Sequence, residues 1–244
     1  MRTALCLYGQ PRDAAGVAFR IDANVIKPNN CDVFFHAWYD PSDLSIKKMT
    51  PGHEHRQHIR QLDDIIVSLY QPKTREIETP RKFHHKDFRA SDENIEACWP
   101  WSKCYDRETF VKDRATCAHS MWYSVMKSLL LKDLYSQQEG FTYDAVILSR
   151  FDVAPTQAVR VSDYDLTKLW TRNCVYPRGE VSDWFMLGNN EVMNVVAGTY
   201  LNVERHYKTI QSTGNRIWTN EAFLREQLAS FGVKNELGSF DVTF

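Results

Sequence analysis

The chain has 244 residues, of which 43% are hydrophobic and 25% are charged, and this suits one large domain with a substantial core. The formal net charge is -1, so no global field attracts nucleic acid or an anionic membrane, and any anion-binding patch must be local. The sequence opens without a charged-then-apolar leader, and no apolar run approaches the roughly 20 residues that span a bilayer. We therefore expect a soluble, cytoplasmic protein.

The first 36 residues have the pattern of a strand, a helix and a second strand. The apolar run from Thr3 to Tyr8 ends abruptly at the polar segment Gly9 to Arg12. Apolar residues then recur at helical spacing from Asp13 to Ile26, and Cys31 to His36 forms a second apolar run. A unit of this length predicts two parallel strands joined by a right-handed crossover.

The remaining sequence continues this alternation. It predicts helices over Pro51 to Tyr70, Arg114 to Gln138, Asp163 to Leu169, Glu191 to Tyr207 and Thr219 to Leu228, and strands over Lys73 to Glu78, Tyr143 to Leu148 and Val181 to Gly188. No repeat, low-complexity tract or linker interrupts the order. The expected fold is one α/β domain over residues 1–244, with a mainly parallel central sheet flanked by helices.

Polar clusters follow three of the predicted strands: Gly9-Gln10-Pro11-Arg12, His36-Ala37-Trp38 and Arg150-Phe151-Asp152. The carboxyl ends of parallel strands meet at one edge of a sheet, where α/β proteins bind ligands. A guanidinium there suits a diphosphate, and a carboxylate beside it suits a divalent metal. The alternative interpretation is that Arg150 and Asp152 only neutralise each other.

Several segments resemble a group of polysaccharide-type glycosyltransferases with the GT-A fold. The segments are Tyr8-Gly9-Gln10-Pro11-Arg12, Asp32 to Trp38, Ser120 to Ser124, Tyr143 to Asp152, Asp183 to Gly188 and Asn220-Glu221. The resemblance implies one Rossmann-like domain, with a nucleotide-sugar-binding half over residues 1–152 and an acceptor-side half over residues 153–244. It also implies transfer of a hexosyl or pentosyl group from a UDP or GDP sugar to a hydroxyl of a glycan.

By the same resemblance, the residues that bind the nucleotide sugar are Gly9, Gln10, Arg12, His36, Trp38, Ser120, Arg150 and Asp152. Asp152 matches the last carboxylate of the family's Asp-x-Asp motif, which usually holds Mn²⁺ or Mg²⁺ on the diphosphate. This sequence departs from the motif because Arg150 stands at the first position. Either Arg150 replaces part of the metal's charge, or Asp152 coordinates the metal with donor oxygens and water alone.

An inverting transferase needs a carboxylate that takes the proton of the acceptor hydroxyl. Asp183 is the first candidate because it precedes an apolar strand and follows the Tyr143–Asp152 segment in the chain. Glu221 is the second candidate. The alternative interpretations are that Asp183 is a turn residue and that Glu221 is a helix N-terminal carboxylate beside Thr219 or Asn220.

Two other clusters are weaker candidates for metal sites. The His53-Glu54-His55-Arg56-Gln57-His58 segment lacks the His-Glu-x-x-His spacing of a zinc enzyme and is better interpreted as a solvated helix start. Cys98, Cys104 and Cys117, with nearby His119, include no Cys-x-x-Cys pair. The loop aromatics Trp99, Trp101 and Tyr105 either stack on sugars or cap the core.

Two rival functions remain open at the level of sequence. Another nucleotide-sugar or nucleotidyl transfer enzyme would use the same crevice. A catalytically silent module would bind a glycan or a nucleotide without transferring either. The first rival predicts release of pyrophosphate, whereas the second predicts binding without turnover.

Overall fold

The protein is described by a computed structural model over residues 1–40, 42, 62–81, 83, 107–172, 181–213, 219–238 and 240–243, with the backbone alone for 107–115. The strands are β1 (Thr3–Gly9), β2 (Asp32–Trp38), β3 (Thr74–Glu78), β4 (Ala145–Arg150), β5 (Ala154–Pro155), β6 (Leu169–Thr171), β7 (Phe185–Gly188), β8 (Asn235–Leu237) and β9 (Val242–Thr243). The helices are α1 (Ala14–Ile21), α2 (Lys27–Asn29), α3 (Leu62–Tyr70), α4 (Arg107–Gln138), α5 (Asn190–Ala197), α6 (Thr199–Ser212) and α7 (Asn220–Phe231). A π-helical segment, Asp22–Ile26, joins α1 to α2, and a 3-10 turn occupies Val161–Asp163.

The central sheet has seven strands in the order β3-β2-β1-β4-β7-β6-β8. Strands β3, β2, β1 and β4 are parallel to one another, and β7 is antiparallel to both β4 and β6. Strand β8 is parallel to β6, while β5 and β9 form a small separate ladder. This arrangement confirms the predicted α/β fold with a mainly parallel sheet flanked by helices.

Helices cover both faces of the sheet. Alternate residues of β1 point to opposite faces, so that Cys6 belongs to the core that includes residues of α4 to α7, whereas Leu5 belongs to the core that includes residues of α1 and α3. The side chains of β1 and β4 are almost wholly buried, which is why each strand has the near-continuous apolar sequence of a strand covered on both faces. The sheet takes strands from both sides of residue 152, and the proposed division into two functional halves stays a prediction.

Two of the predicted helices are wrong in detail. The Asp163 to Leu169 segment is not a helix: a 3-10 turn ends at Asp163, and Leu169 begins strand β6. The helix predicted over Glu191 to Tyr207 is divided into α5 and α6 at Gly198. Of the helix predicted from Pro51, only Leu62–Tyr70 falls within the described residues. No described helix combines the length and apolar character required to cross a membrane.

Candidate active site

The polar residues meet at one edge of the sheet because of how its strands are connected. The chain passes from β1 through α1 to β2 on one side, and from β3 through α4 to β4 on the other side of β1. The strand order therefore reverses between β1 and β4, and open α/β sheets bind ligands at such a switch point. Tyr8 and Arg150 are register partners there.

Strands β6 and β7 bring further side chains to the same edge. Since β7 is antiparallel to β4, Asp183 and Trp184, which directly precede β7, lie beside the carboxyl end of β4. Strand β6 runs antiparallel to β7, so Arg172, directly after β6, also lies at this edge. The edge therefore carries residues from both the parallel and the antiparallel parts of the sheet.

Arg150 and Asp152 form a bidentate ion pair. Nε of Arg150 donates to Oδ1 of Asp152 at 2.9 Å, and Nη2 donates to Oδ2 at 2.8 Å. Burial opposes the charge of Arg150, but Asp152 and then Asp183 raise its pKa above the ordinary value. The Arg150 side chain keeps 25% of its surface exposed, against 2% for Asp152. The pair thus presents a permanent cation toward solvent.

Tyr8 is a buried residue at this edge whose pKa is affected by three of the predicted carboxylates. Its hydroxyl donates a hydrogen bond to the backbone carbonyl of Asp183. Burial raises the pKa of Tyr8 well above its ordinary value, and the negative charges of Asp183, Asp152 and Glu221 raise it further, against the opposing charge of Arg150. The structure therefore brings together four residues that were predicted from three separate segments of the sequence.

The two candidate bases occupy different backbone settings. Asp183 lies two residues before β7 and is 3% exposed. Glu221 lies in the first turn of α7 and is 8% exposed, and Thr219 caps that helix by accepting a hydrogen bond from the N–H of Ala222 at 3.0 Å. Glu221 is thus a helix N-terminal carboxylate, as its alternative interpretation predicted, and it also lies near Tyr8.

Strand β1 ends at Gly9, whose φ of 93° falls in the region that favours glycine, and a loop follows it. The N–H of Gly9 donates to Oγ of Ser124 in α4 at 2.8 Å. Farther along the loop, Nε and Nη2 of Arg12 donate to Oε1 of Gln10 at 2.8 and 2.6 Å. The predicted nucleotide-binding residues Gln10 and Arg12 therefore hold each other in place.

His36 supports this loop from inside the protein. It is fully buried, with Nδ1 2.7 Å from Oγ of Ser124 and Nε2 3.1 Å from Oε1 of Glu78. Because a carboxylate only accepts, we assign the proton to Nε2, and Nδ1 then accepts from the Ser124 hydroxyl. Burial lowers the pKa of His36, which favours this neutral form. A direct contact between His36 and a nucleotide stays a prediction.

Trp38 belongs to an aromatic cluster at the end of β2, and the backbone of Ser120 contacts this cluster. The indole N–H of Trp38 donates to the backbone carbonyl of Ser120 at 3.1 Å, and its ring stacks on Tyr123 with centroids 5.4 Å apart. The hydroxyl of Tyr123 donates to Glu78 at 2.9 Å, and the guanidinium of Arg81 lies 4.3 Å from the Tyr123 ring centroid. Ser120 contributes its backbone here.

The sequence pattern did not indicate two residues at this edge of the sheet, Tyr8 and Arg172. Tyr8 ends an apolar run and therefore had the pattern of a core residue. Arg172 follows β6, which the sequence pattern did not predict. In the structure, the guanidinium carbon of Arg172 lies 4.5 Å from the Trp184 ring centroid, and that of Arg150 lies 5.6 Å from it. Both guanidinium groups therefore lie close to one aromatic ring.

The described residues do not fit the predicted divalent metal. Both oxygens of Asp152, the predicted ligand, accept hydrogen bonds from Arg150. Across the described ranges, no three His, Cys, Asp or Glu side chains are grouped as ligands, although hard cations take several oxygens. The other metal candidates, His53 to His58, Cys98 and Cys104, lie outside the described residues, as do Trp99, Trp101 and Tyr105. Metal dependence itself stays a prediction.

Comparisons with known proteins place few limits on identity. The sequence matches no known protein family, and no curated protein matches it significantly. Similar solved structures include the apo form of the glycosyltransferase GlyE from Streptococcus pneumoniae TIGR4, with TM-score 0.41 and 9% identity over 96% of this chain and 44% of that one. A second GlyE structure gives TM-score 0.43 and 10% identity, over 98% and 45%. The chain therefore spans less than half the length of the GlyE chains it matches.

Proposed function

We propose that the protein is a glycosyltransferase that moves a sugar from a nucleoside diphosphate sugar to a hydroxyl of a glycan. The observation that carries this proposal is the switch point between β1 and β4, where a fixed cation, Arg150, lies with Asp183 and Glu221 around Tyr8. Open α/β sheets bind nucleotides at such points. The resemblance of the same segments to GT-A glycosyltransferases supplies the sugar-transfer chemistry.

The nucleotide half of the donor is proposed to lie over the ends of β1 and β2. Within the described residues, the space beside the Cα of Gly9 is open, since a Cβ built there meets no atom within 4 Å. The backbone can therefore be approached closely at this point. Gln10 and Arg12 extend from the same loop, and Trp38 closes the end of β2.

The reaction is proposed to be a single displacement. Asp183 takes the proton of the acceptor hydroxyl, and the oxygen attacks the anomeric carbon as the bond from that carbon to the diphosphate breaks. The electron pair of the broken bond leaves on the diphosphate, whose charge the Arg150 guanidinium stabilises. A direct displacement of this kind inverts the anomeric configuration. Glu221, which also lies near Tyr8, is the alternative base.

The test is an acceptor-dependent release of nucleoside diphosphate. The purified protein is incubated with UDP sugars and GDP sugars, with and without a panel of oligosaccharide acceptors. We expect free UDP or GDP only when a suitable acceptor is present, together with a product whose mass has increased by one sugar residue. Release of pyrophosphate would instead indicate nucleotidyl transfer, and nucleotide binding without any product would indicate a binding module.

A further inference from the structure

We propose that Arg150 and Arg172, whose guanidinium groups both lie beside the ring of Trp184, bind the donor's diphosphate without a divalent metal. This inference rests on the proposed function and specifies how the same site neutralises its substrate. A metal-dependent site would present carboxylate oxygens to the cation. The crevice edge of this protein instead presents guanidinium groups.

The Arg150–Asp152 pair is oriented with its cation toward solvent. Each carboxylate oxygen of Asp152 already accepts one N–H of Arg150, at 2.9 and 2.8 Å. Asp152 is 2% exposed, whereas the Arg150 side chain is 25% exposed. An anion that approaches from solvent therefore meets the guanidinium before the carboxylate.

Arg172 lies beside the same tryptophan ring as Arg150. Its guanidinium carbon lies 4.5 Å from the centroid of the Trp184 ring, and that of Arg150 lies 5.6 Å from the same centroid. The backbone N–H of Arg150 also donates to the backbone carbonyl of Trp184 at 3.2 Å, which fixes the main chain of Trp184 beside β4. Contact with one ring restrains both long side chains and lowers the entropy lost when they bind an anion.

The guanidinium groups of Arg150 and Arg172 match a diphosphate in charge and in hydrogen-bonding geometry. Two guanidinium groups carry together the charge of one Mn²⁺ or Mg²⁺ ion. Each guanidinium can donate two parallel hydrogen bonds to phosphate oxygens, and it stays charged at every physiological pH. Arg150 and Arg172 can therefore stabilise a leaving diphosphate in the role that the Asp-x-Asp motif gives to a metal.

The first test compares binding of UDP and GDP in EDTA and in MnCl₂ by isothermal titration calorimetry. We expect at least one nucleotide to bind, with dissociation constants in the two conditions that agree within about threefold. Binding that requires Mn²⁺ would overturn this inference and leave the proposed function intact. If neither nucleotide binds in either condition, the proposed function fails and this inference fails with it.

The second test removes Arg172. In EDTA, Arg172→Ala is expected to weaken binding of the diphosphate by about tenfold or more, since one charge-assisted bidentate contact is lost. The matched control is Lys168→Ala, which removes a cation 5.9 Å from the Trp170 ring centroid at the opposite end of β6. The control should bind as the wild type does. Equal affinity in Arg172→Ala and wild type would overturn the inference.

The third test replaces Asp152, because loss of a metal ligand should weaken diphosphate binding whereas loss of a negative charge beside Arg150 should strengthen it. Asp152→Asn removes a negative charge beside Arg150 but keeps an oxygen that can accept from its guanidinium. Diphosphate binding in EDTA should become tighter, and melting temperatures establish that each variant is folded. The inference is contradicted if Asp152→Asn binds the diphosphate more weakly than the wild type does and if added Mn²⁺ strengthens binding in the wild type alone. That result would make Asp152 a metal ligand.

Discussion

Asp183 has two groups with different proposed roles. Its backbone carbonyl accepts the hydrogen bond of Tyr8, whereas its carboxylate is the proposed proton acceptor. Asp183→Asn retains the backbone contact and removes the basic group. We expect turnover in the acceptor-dependent assay to fall by roughly 10²-fold or more, the usual scale for a general base, with little change in affinity for UDP or GDP.

Glu221→Gln is the matched comparison for this variant, because it neutralises the other carboxylate near Tyr8. We expect Glu221→Gln to retain more activity than Asp183→Asn. A large loss in Glu221→Gln together with wild-type turnover in Asp183→Asn would transfer the role of base to Glu221. Equal wild-type turnover in both variants would contradict the proposed mechanism.

Ser124 connects the loop after β1 to the buried His36. Its hydroxyl oxygen accepts from the N–H of Gly9, and its proton goes to Nδ1 of His36 at 2.7 Å in preference to the His36 carbonyl at 3.2 Å. Ser124→Ala leaves a part-buried N–H and a buried imidazole nitrogen without this partner. We expect the free energy of unfolding to fall by about 1–3 kcal/mol.

The control for Ser124→Ala is Ser128→Ala, one turn farther along α4. Ser128 is equally buried, but its hydroxyl donates to the carbonyl of Val125 within the same helix at 2.9 Å. Urea unfolding should show a smaller loss for Ser128→Ala, and only Ser124→Ala should also weaken nucleotide binding. The proposed support of the loop is contradicted if the two variants behave alike.

Single residues were predictable where a local pattern reveals their position. The position of Arg150 and Asp152 at the end of a strand was predictable because they follow an apolar run, and the pattern of such a run is visible without knowledge of its neighbours. Tyr8 was missed because a tyrosine at the end of a buried strand looks the same whether its hydroxyl meets the core or a polar site. Only the position of Asp183 across the sheet distinguishes the two cases.

Among the elements, predictability follows the range of the contacts. Strands β1, β2 and β4 were predicted within a few residues because each contains a continuous run of buried, mainly apolar residues. Strand β6 was missed because its three residues form a strand only through pairing with β7 and β8, which come much later in the chain. Before β6, Asp165 accepts hydrogen bonds from the N–H and hydroxyl of Thr167, which forms a turn where a helix was predicted.

Gln227 joins three helices on one face of the sheet. From α7, its Nε2 donates to the carbonyl of Val195 in α5 at 2.9 Å, and its Oε1 lies 2.7 Å from Nε2 of His206 in α6. Gly198, where α5 gives way to α6, leaves room for this side chain, because a Cβ there would lie 2.7 Å from Nε2 of Gln227. A contact with a helix distant in the sequence thus explains why glycine suits the position at which the two helices meet.

Gln227→Leu tests this junction, since leucine has a similar size and no polar atom. The substitution leaves the imidazole of His206 and the carbonyl of Val195 without their partner in a buried place, and we expect a loss of about 2 kcal/mol in urea unfolding. Glu226→Gln, a partly exposed change on the same helix, should cost well under 1 kcal/mol. Equal losses in the two variants would contradict the structural role of Gln227.

For the whole molecule, the sequence predicts the class of fold more readily than its order of strands. The strand–helix–strand pattern at the amino terminus is enough to predict a parallel sheet, because short crossovers of that kind are right-handed. It does not predict that β7 inserts antiparallel between β4 and β6. That insertion is what brings Asp183 and Trp184 beside Arg150, so the site depends on the least predictable part of the sheet.

The stability of the whole molecule should depend on two buried histidines. Burial lowers the pKa of His36, although Glu78 and Glu76 oppose the shift, and burial also lowers that of His206 despite its hydrogen bond to Gln227. The ordinary value is 6.5, so below that pH the unfolded chain takes up protons that the folded protein resists. The stabilisation is complete above pH 6.5 and is lost as pH falls toward the lowered folded pKa values, by up to about 1.4 kcal/mol per pH unit for each histidine.

Urea unfolding between pH 7.5 and 5 measures this loss, and remaining above pH 5 keeps it separate from Glu78, whose pKa lies below its ordinary value of 4.5. Glu78 contributes stability that is lost only at lower pH, because it is a carboxylate held in its charged form by Tyr123 and His36. The comparison is His206→Gln, which keeps a polar side chain opposite Gln227 but removes one titrating group. Its stability should fall less steeply between pH 6.5 and 5 than that of the wild type. Identical slopes would mean that His206 does not resist protonation in the folded protein, and the remaining dependence would then belong to His36 and to residues elsewhere in the chain.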